Sequence, residues 1–105
     1  MVAGLNVFRP PILAGYASTL ALLAGEQAAG RLRTRPVLVQ PTSEGLPPGG
    51  EQRRAEAFGA KVRSAYNASE CLTIGHGCRY GWQHVNSDWV VLEPVDAGHR
   101  PVPGR

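Results

Sequence analysis

The fold is decided by residues 36–65, which read PVLVQPTSEGLPPGGEQRRAEAFGAKVRSA. The run from Pro36 to Gln40 is continuously β-rich rather than alternating, which is typical of a strand covered on both faces. The composition of residues 41–50 predicts a loop. Residues 51–58 then predict a short helix, and Lys61 to Ala65 predict a second strand. A strand, a helix and a strand in this order indicate parallel strands joined by a right-handed crossover.

The residues before this stretch add another strand and helix. Ile12 to Gly15 is a short apolar run bounded by Pro and Gly, which predicts a buried strand. Ser18 is a candidate N-cap for a helix over Thr19 to Ala29, because Leu and Ala recur there at helical spacing. Gly30 follows at the position where a left-handed residue is favoured. The predicted fold class is therefore α/β, with a three-stranded parallel βαβαβ unit over about residues 11–65.

Residues 66–95 depart from this pattern. They hold a polar motif loop and then three short strand-like pieces, which predict a small antiparallel meander: residues 72–74, 82–85 and 89–92. Trp82 and Trp89 are expected to pack in the core or at its edge. The tail, residues 96–105, lacks apolar spacing and is expected to be exposed or disordered.

Composition limits the classes of protein. With 105 residues, 43% of them hydrophobic, the chain can form one small domain or a piece of a larger one. The net charge of +3 is spread along the chain, so no specific nucleic-acid partner is expected. The run Arg31, Arg33 and Arg35 is interpreted as a solvated helix end. No apolar run reaches the roughly 18 residues of a membrane span, so no membrane partner is expected. Without an export signal we expect a cytoplasmic location, with both cysteines as free thiols or metal ligands.

Polar side chains follow the second and third predicted strands. Residues 42–44, Thr-Ser-Glu, come after the second strand, and residues 66–70 come after the third. Because ligands bind beyond the carboxyl ends of parallel strands, both loops should open on one edge of the sheet. The sequence therefore predicts a single site, with Glu44 and Glu70 side by side.

Several segments carry a resemblance to a known family. Residues 66–70, Tyr-Asn-Ala-Ser-Glu, resemble the Tyr-Gly-x-Thr/Ser-Glu motif of adenylate-forming enzymes. Residues 84–96, HVNSDWVVLEPVD, are similar to the segment after this motif in the phenylacetate–CoA ligase family. Residues 5–10 and 13–18 also match that family's pattern, and residues 43–46 resemble its small-Glu-Pro-Leu turn. The resemblance extends over nearly the whole chain.

The resemblance implies an internal fragment of an ATP-dependent acyl–CoA ligase. In that family a carboxylic acid reacts with ATP to give an acyl adenylate and pyrophosphate, and CoA then displaces AMP. The family's phosphate loop and its ribose-binding Asp are not recognised in this sequence. We therefore expect residues 1–105 to be a single partial domain of the larger N-terminal domain of an adenylating enzyme, inactive alone and in need of the rest of the ligase.

The resemblance also implies ATP, Mg²⁺ and CoA as cofactors and substrates, and it assigns the site residues. Ser69 and Glu70 are the candidate catalytic residues, with Ser69 reaching the α-phosphate or the carboxylate and Glu70 binding Mg²⁺. The candidate residues around the nucleotide and the acyl group are Tyr66 against the adenine, Asn67, Glu44 and Gly45. An aromatic face suits a base, and a carboxylate suits Mg²⁺. Asn67 stands where the family has Gly, and Gly45 stands where it has Pro.

A second function remains open on the residues themselves. Cys71, His76, Cys78 and His84 have the ligand types of a tetrahedral Zn²⁺ site, although their spacing is that of no standard finger or ribbon. In that alternative the chain is a small zinc-stabilised binding module using residues 71–84. Otherwise the cysteines are buried thiols, with His76 in a turn and His84 in a strand.

Overall fold

The structure is a computed structural model, and it describes residues 1–103. The elements in chain order are α1 (Val2–Phe8), β1 (Ile12–Tyr16), α2 (Ala17–Ala28), β2 (Leu38–Thr42), α3 (Gly50–Phe58), β3 (Lys61–Val62), β4 (Ala65–Tyr66), β5 (Gly75–Gly77) and β6 (Gln83–Val85). Among these residues, no helix combines the length and apolar character that crossing a membrane requires.

The first sheet confirms the predicted α/β class. Its order is β1-β2-β3, and both pairs are parallel, with Leu13 opposite Val39 and Val39 opposite Val62. These three side chains are buried in the core together with Leu20 of α2 and Phe58 of α3. The side chains of successive strand residues point to opposite faces of a sheet. Because this set packs against α2 and α3 on one face, these two helices leave the other face uncovered.

Helix α2 begins two residues earlier than predicted, at Ala17 rather than at Thr19. Its N-cap is Tyr16, whose own side chain makes no capping hydrogen bond, so the prediction of Ser18 as N-cap was wrong. The C-terminal prediction is confirmed, since Gly30 has a φ of 76°. The N–H groups of Gly30 and Arg31 donate to the carbonyls of Gln27 and Glu26 at 3.1 and 3.0 Å, which is the Schellman arrangement.

Strand β2 is displaced by two residues from its predicted range and includes Pro41. Proline is tolerated here because its nitrogen, which carries no hydrogen, faces a position where no strand accepts a hydrogen bond. The Val39 carbonyl accepts the N–H of Arg63 at 3.0 Å, so Val39 faces β3. Pro41, two residues later, faces the same side, where β3 has already ended at Val62. No ladder hydrogen bond is lost.

The predicted strand over residues 61–65 divides into two strands of different sheets. β3 completes the parallel sheet, whereas β4 begins a second sheet of order β4-β5-β6, in which both pairs are antiparallel. Within it Gly75 lies so close to the His84 carbonyl, 2.9 Å from a Cβ built on it, that a larger residue would not fit. The predicted meander therefore exists, at residues 65–85.

The positions predicted for two of the strand-like pieces of the meander were wrong. β5 lies at residues 75–77 rather than 72–74, and residues 89–92 form no strand. The Asn86 carbonyl accepts the N–H groups of both Trp89 and Val90 at 3.0 Å, which turns the chain away from the sheet. Trp82 and Trp89 are 72% and 83% exposed, so the expectation that they pack in the core was also wrong.

The two ends of the chain contain structure that the sequence did not predict. Residues 2–8 form helix α1, which has no buried residue of its own but packs Leu5 against the core. Residues 96–103 are mostly exposed, and Asp96 closes a turn there by accepting the N–H groups of Gly98 and Arg100 at 2.8 and 3.0 Å. The Arg100 N–H is the main reason that the pKa of Asp96 lies below its usual value.

Candidate functional site

A cavity of about 960 Å³ opens beside the carboxyl ends of β2 and β3. Its walls come from the loop after β2, the first turns of α3 and residues 60–67. All four residues predicted to surround the nucleotide and the acyl group line it: Glu44, Gly45, Tyr66 and Asn67. The two predicted loops therefore do open on the same edge of the sheet.

Glu44 is held in place by the start of helix α2. Its carboxylate accepts the backbone N–H of Ser18 at 2.7 Å and the Ser18 hydroxyl at 3.0 Å. The first N–H groups of a helix lack partners within the helix and carry partial positive charge, so a carboxylate stabilises them. Glu44 therefore caps α2 from a distant part of the sequence, and this fixes the course of the loop after β2.

The loop after β2 is joined to the motif loop through Asn67. The Asn67 side-chain amide lies 3.3 Å from the Thr42 hydroxyl, at the end of β2. Turning the amide by half a rotation lets its nitrogen donate to the backbone carbonyls of Tyr66 and Leu72, while its oxygen still faces Thr42. Ser43, which starts the loop, has a left-handed φ of 65°. Hydrogen bonds thus hold the loop after β2 to the start of α2 and join it to the motif loop.

Ser69 and Glu70 come two and three residues after Asn67. Both are exposed, and neither is among the residues that line the cavity. They occupy a turn closed by mutual backbone hydrogen bonds between Ala68 and Cys71, at 2.9 and 3.2 Å. The structure therefore brings Glu44 together with Tyr66 and Asn67, and the placing of Glu70 beside Glu44 stays a prediction.

Sequence reasoning missed Arg54, which is 4% exposed. Its guanidinium donates to the carbonyls of Ala17 at 2.6 Å and of Gly50 at 2.8 Å, and so joins α3 to the start of α2. Its Nε has no hydrogen-bond partner, and no carboxylate of residues 1–103 forms an ion pair with it. The available signal was the spacing of Gly50, Arg54 and Phe58, which places all three on the buried face of α3.

Comparison with known proteins finds a solved structure with a similar fold. No family model matches the sequence, and no curated protein matches it. Among solved structures, the chain is similar to an open conformation of 2-hydroxyisobutyryl-CoA ligase in complex with 2-HIB-AMP and CoA, with a TM-score of 0.76 and 24% identity. The chain has the fold of part of an acyl-CoA ligase. The match covers 97% of this chain and 26% of the ligase, so the chain spans about a quarter of the length of that protein.

The second sheet of this ligase-like fold carries the cysteines and histidines of the zinc alternative. His76 and His84 lie opposite each other on β5 and β6, and their rings stack with centroids 5.4 Å apart and planes 18° apart. Cys71 is held instead in the turn with Ala68. Within residues 1–103, no group of three or more His, Cys, Asp or Glu is placed to hold a metal ion. The four ligands of the zinc alternative are therefore not brought together in the part of the chain that the structure describes.

Cys78 has a distinct environment at the tip of the β5–β6 hairpin. The backbone N–H of Tyr80 lowers the pKa of its thiol, and hydrogen bonds from His84 and from the backbone of Trp82 add to the effect. Each of these donors favours the thiolate, the charged form. The hairpin therefore lowers the pKa of the Cys78 thiol, although Cys78 belongs to no group of three or more metal ligands within residues 1–103.

Proposed function

We propose that this chain forms one wall of the nucleotide and acyl site of an ATP-dependent acyl–CoA ligase that resembles the phenylacetate–CoA ligase family. One observation carries the proposal: Glu44, Gly45, Tyr66 and Asn67, selected from the sequence by resemblance, line a single cavity. That cavity lies at the carboxyl edge of a parallel sheet, where ligands of such sheets bind. The similarity of the fold to an acyl-CoA ligase supports the same conclusion.

The chemistry proposed has two steps. A carboxylate oxygen of the acid attacks the α-phosphorus of ATP, and the bond to the bridging oxygen breaks as pyrophosphate leaves. The CoA thiol then attacks the acyl carbon, loses its proton, and displaces AMP. Reactions of this kind depend on positioning and charge neutralisation more than on a protein nucleophile. A chain with a quarter of the ligase fold would supply positioning residues and would turn over only with the remainder of that fold.

Tyr66 and Asn67 are the proposed contacts of the nucleotide. Tyr66 lines the cavity and is 57% exposed, so its side chain is accessible to an adenine. Stacking of a base on an aromatic side chain contributes about 1–3 kcal/mol. Asn67 would hold the backbone after Tyr66 through its contact with Thr42. Glu44 acts in this scheme as a positioning residue, since both of its oxygens already accept hydrogen bonds from Ser18.

Ser69 and Glu70 remain the proposed catalytic residues. Mg²⁺ in phosphate-transferring sites is bound through one or two carboxylates together with the substrate phosphates. One exposed carboxylate, as in Glu70, fits that mode, whereas residues 1–103 hold no cage of three or more ligands. The bound ion would neutralise phosphate charge. Ser69, one residue away and also exposed, would donate a hydrogen bond to the α-phosphate or to the acid.

Titration of the isotope-labelled chain with AMP tests the nucleotide assignment by NMR. We expect saturable shifts of the backbone amides at Gly45, Tyr66 and Asn67. Replacing Tyr66 with Ala should weaken AMP binding about tenfold, because it removes the stacking surface. Tyr80→Ala is the matched control, since Tyr80 is an exposed tyrosine outside the lining of the cavity. Equal weakening by both substitutions, or shifts confined to other parts of the chain, would contradict the proposal.

A further inference from the structure

Another cavity, of about 380 Å³, is lined by three exposed arginines, Arg9, Arg33 and Arg35. Arg9 precedes β1 by three residues, and Arg35 precedes β2 by three. Because the strands are parallel, the arginines lie at the amino edge of the sheet, opposite the edge that carries Glu44 and Asn67. A strand of five residues separates the two edges by about 17 Å. This basic cluster is therefore distinct from the proposed nucleotide site.

Asn6 organises the cluster from helix α1. Its backbone carbonyl accepts the Nε–H of Arg9 at 3.1 Å, and its side-chain oxygen accepts the backbone N–H of Arg33 at 2.6 Å. Its side-chain nitrogen donates to the Arg31 carbonyl at 2.9 Å. Arg9 itself has a left-handed φ of 49°, which is unusual for a residue with a side chain. One asparagine thus holds the end of α1 and the segment before β2 together, with their arginines at one cavity.

The charge of this cluster is not balanced within the described chain. In residues 1–103 the salt bridges join Arg31 to Glu26 and Arg100 to Asp96, so none of the three arginines has a carboxylate partner there. Like charges gathered at one place repel each other. An anion bound between them would remove that repulsion, and the planar guanidinium group matches the oxygens of a phosphate with two parallel hydrogen bonds.

We propose that Arg9, Arg33 and Arg35 bind a small molecule through a diphosphate group. Three guanidinium groups offer more donors than a single phosphate uses, and a cavity of this volume lies at the lower end of the range for small-molecule sites. The remaining positive charge of the chain is spread rather than arranged in a stripe, which favours a compact anion over a nucleic-acid strand. The site is independent of the nucleotide cavity at the other edge of the sheet.

Isothermal titration calorimetry with inorganic pyrophosphate at low ionic strength tests this site on the full chain. We expect one molecule bound per chain and at least tenfold weaker binding in the double variant Arg33→Gln and Arg35→Gln. Neither substitution disturbs the contact with Asn6, since Arg33 makes it through its backbone. Arg33→Lys keeps the charge but loses the paired hydrogen bonds, so binding should be intermediate. Circular dichroism of each variant establishes that the fold is retained.

Arg79→Gln is the matched control, because it removes one exposed positive charge at the tip of the β5–β6 hairpin, away from the cluster. Pyrophosphate binding should be unchanged in this variant. Equal loss in Arg79→Gln, binding of sulfate as tight as that of pyrophosphate, or no saturable binding would overturn the proposal. Tighter binding of a single-stranded oligonucleotide, lost in the same double variant, would overturn the assignment of a small ligand.

Discussion

Glu44 links the wall of the cavity to the start of helix α2. The residue lies at the cavity, yet its two oxygens are directed to the N–H and the hydroxyl of Ser18 at the start of α2. It therefore sets the position of the loop that carries Gly45. A residue with this role should influence stability as well as ligand binding.

At the residue scale, we expect Glu44→Gln to lower the free energy of unfolding by about 1 kcal/mol, because the neutral amide loses the interaction with the helix start. Urea denaturation followed by circular dichroism at low protein concentration measures this change. Glu56→Gln is the control: Glu56 is exposed on α3 and accepts one hydrogen bond, from Gln52, so its loss should cost less than about 0.5 kcal/mol. A loss in Glu44→Gln no larger than in Glu56→Gln would contradict the capping role; Ser18→Ala, which removes the hydroxyl contact and keeps the backbone N–H, should cost less than Glu44→Gln.

At the element scale, helix α2 provides a paired test of two glycines. Gly25 lies in the helix interior, and Gly30 lies just after it with a φ of 76°. A Cβ added at either position meets no atom within 4 Å, so the backbone alone distinguishes them. Gly25→Ala should stabilise the chain by about 0.5–1 kcal/mol, because Gly is a poor helix former. Gly30→Ala should destabilise it by about 1 kcal/mol, because a left-handed conformation is strained for Ala.

Thermal or urea denaturation of both variants checks these signs. The comparison also tests the Schellman turn formed by Gly30 and Arg31, which sets the direction in which the chain leaves α2 toward the basic cluster. If both substitutions change the stability in the same direction, helix α2 does not end as described.

At the scale of the whole molecule, the chain is open rather than compact. Its radius of gyration is 16.1 Å, against about 13 Å for a compact domain of this length. Helices α2 and α3 cover the face of the parallel sheet that carries Leu13, Val39 and Val62. Ile12 and Tyr16, on the other face of β1, are exposed. A sheet with an uncovered face and free edges tends to associate.

We therefore expect the isolated chain to be marginally stable and to self-associate as its concentration rises. Light scattering coupled to size-exclusion chromatography measures the association, and thermal denaturation measures the stability. Ile12→Lys should reduce association, because it places a charge on the uncovered face. Leu22→Lys, which removes an apolar side chain of α2 that is even more exposed than Ile12 (74% against 53%), should have a smaller effect. A sharp, reversible transition of a monomer would count against a fold that is completed by further structure.

The sequence determined the parts of this protein that depend on local chemistry. Apolar runs interrupted by Gly and Pro predicted the parallel strands, helical spacing predicted α2, and Gly30 marked the end of α2 because only glycine adopts its conformation without strain. Residues 51–58, between a loop and the next strand, predicted α3. The motif at residues 66–70 predicted a site at this edge of the sheet; Tyr66 and Asn67 line a cavity there with Glu44 and Gly45, and the binding of a nucleotide stays a prediction. These features follow from backbone preferences and from the common direction of parallel strands.

Tertiary structure alone decided the features that join distant residues. The cap of α2 is Glu44, 26 residues from Ser18, so no local pattern around the helix could reveal it. Burial of Arg54 depends on the carbonyl of Ala17, 37 positions away. The grouping of Arg9 with Arg33 and Arg35 depends on the contact of Asn6 with the segment before β2. Side-chain hydrogen bonds across the fold have no period in the sequence, and so they become visible only when the strands and helices are packed together.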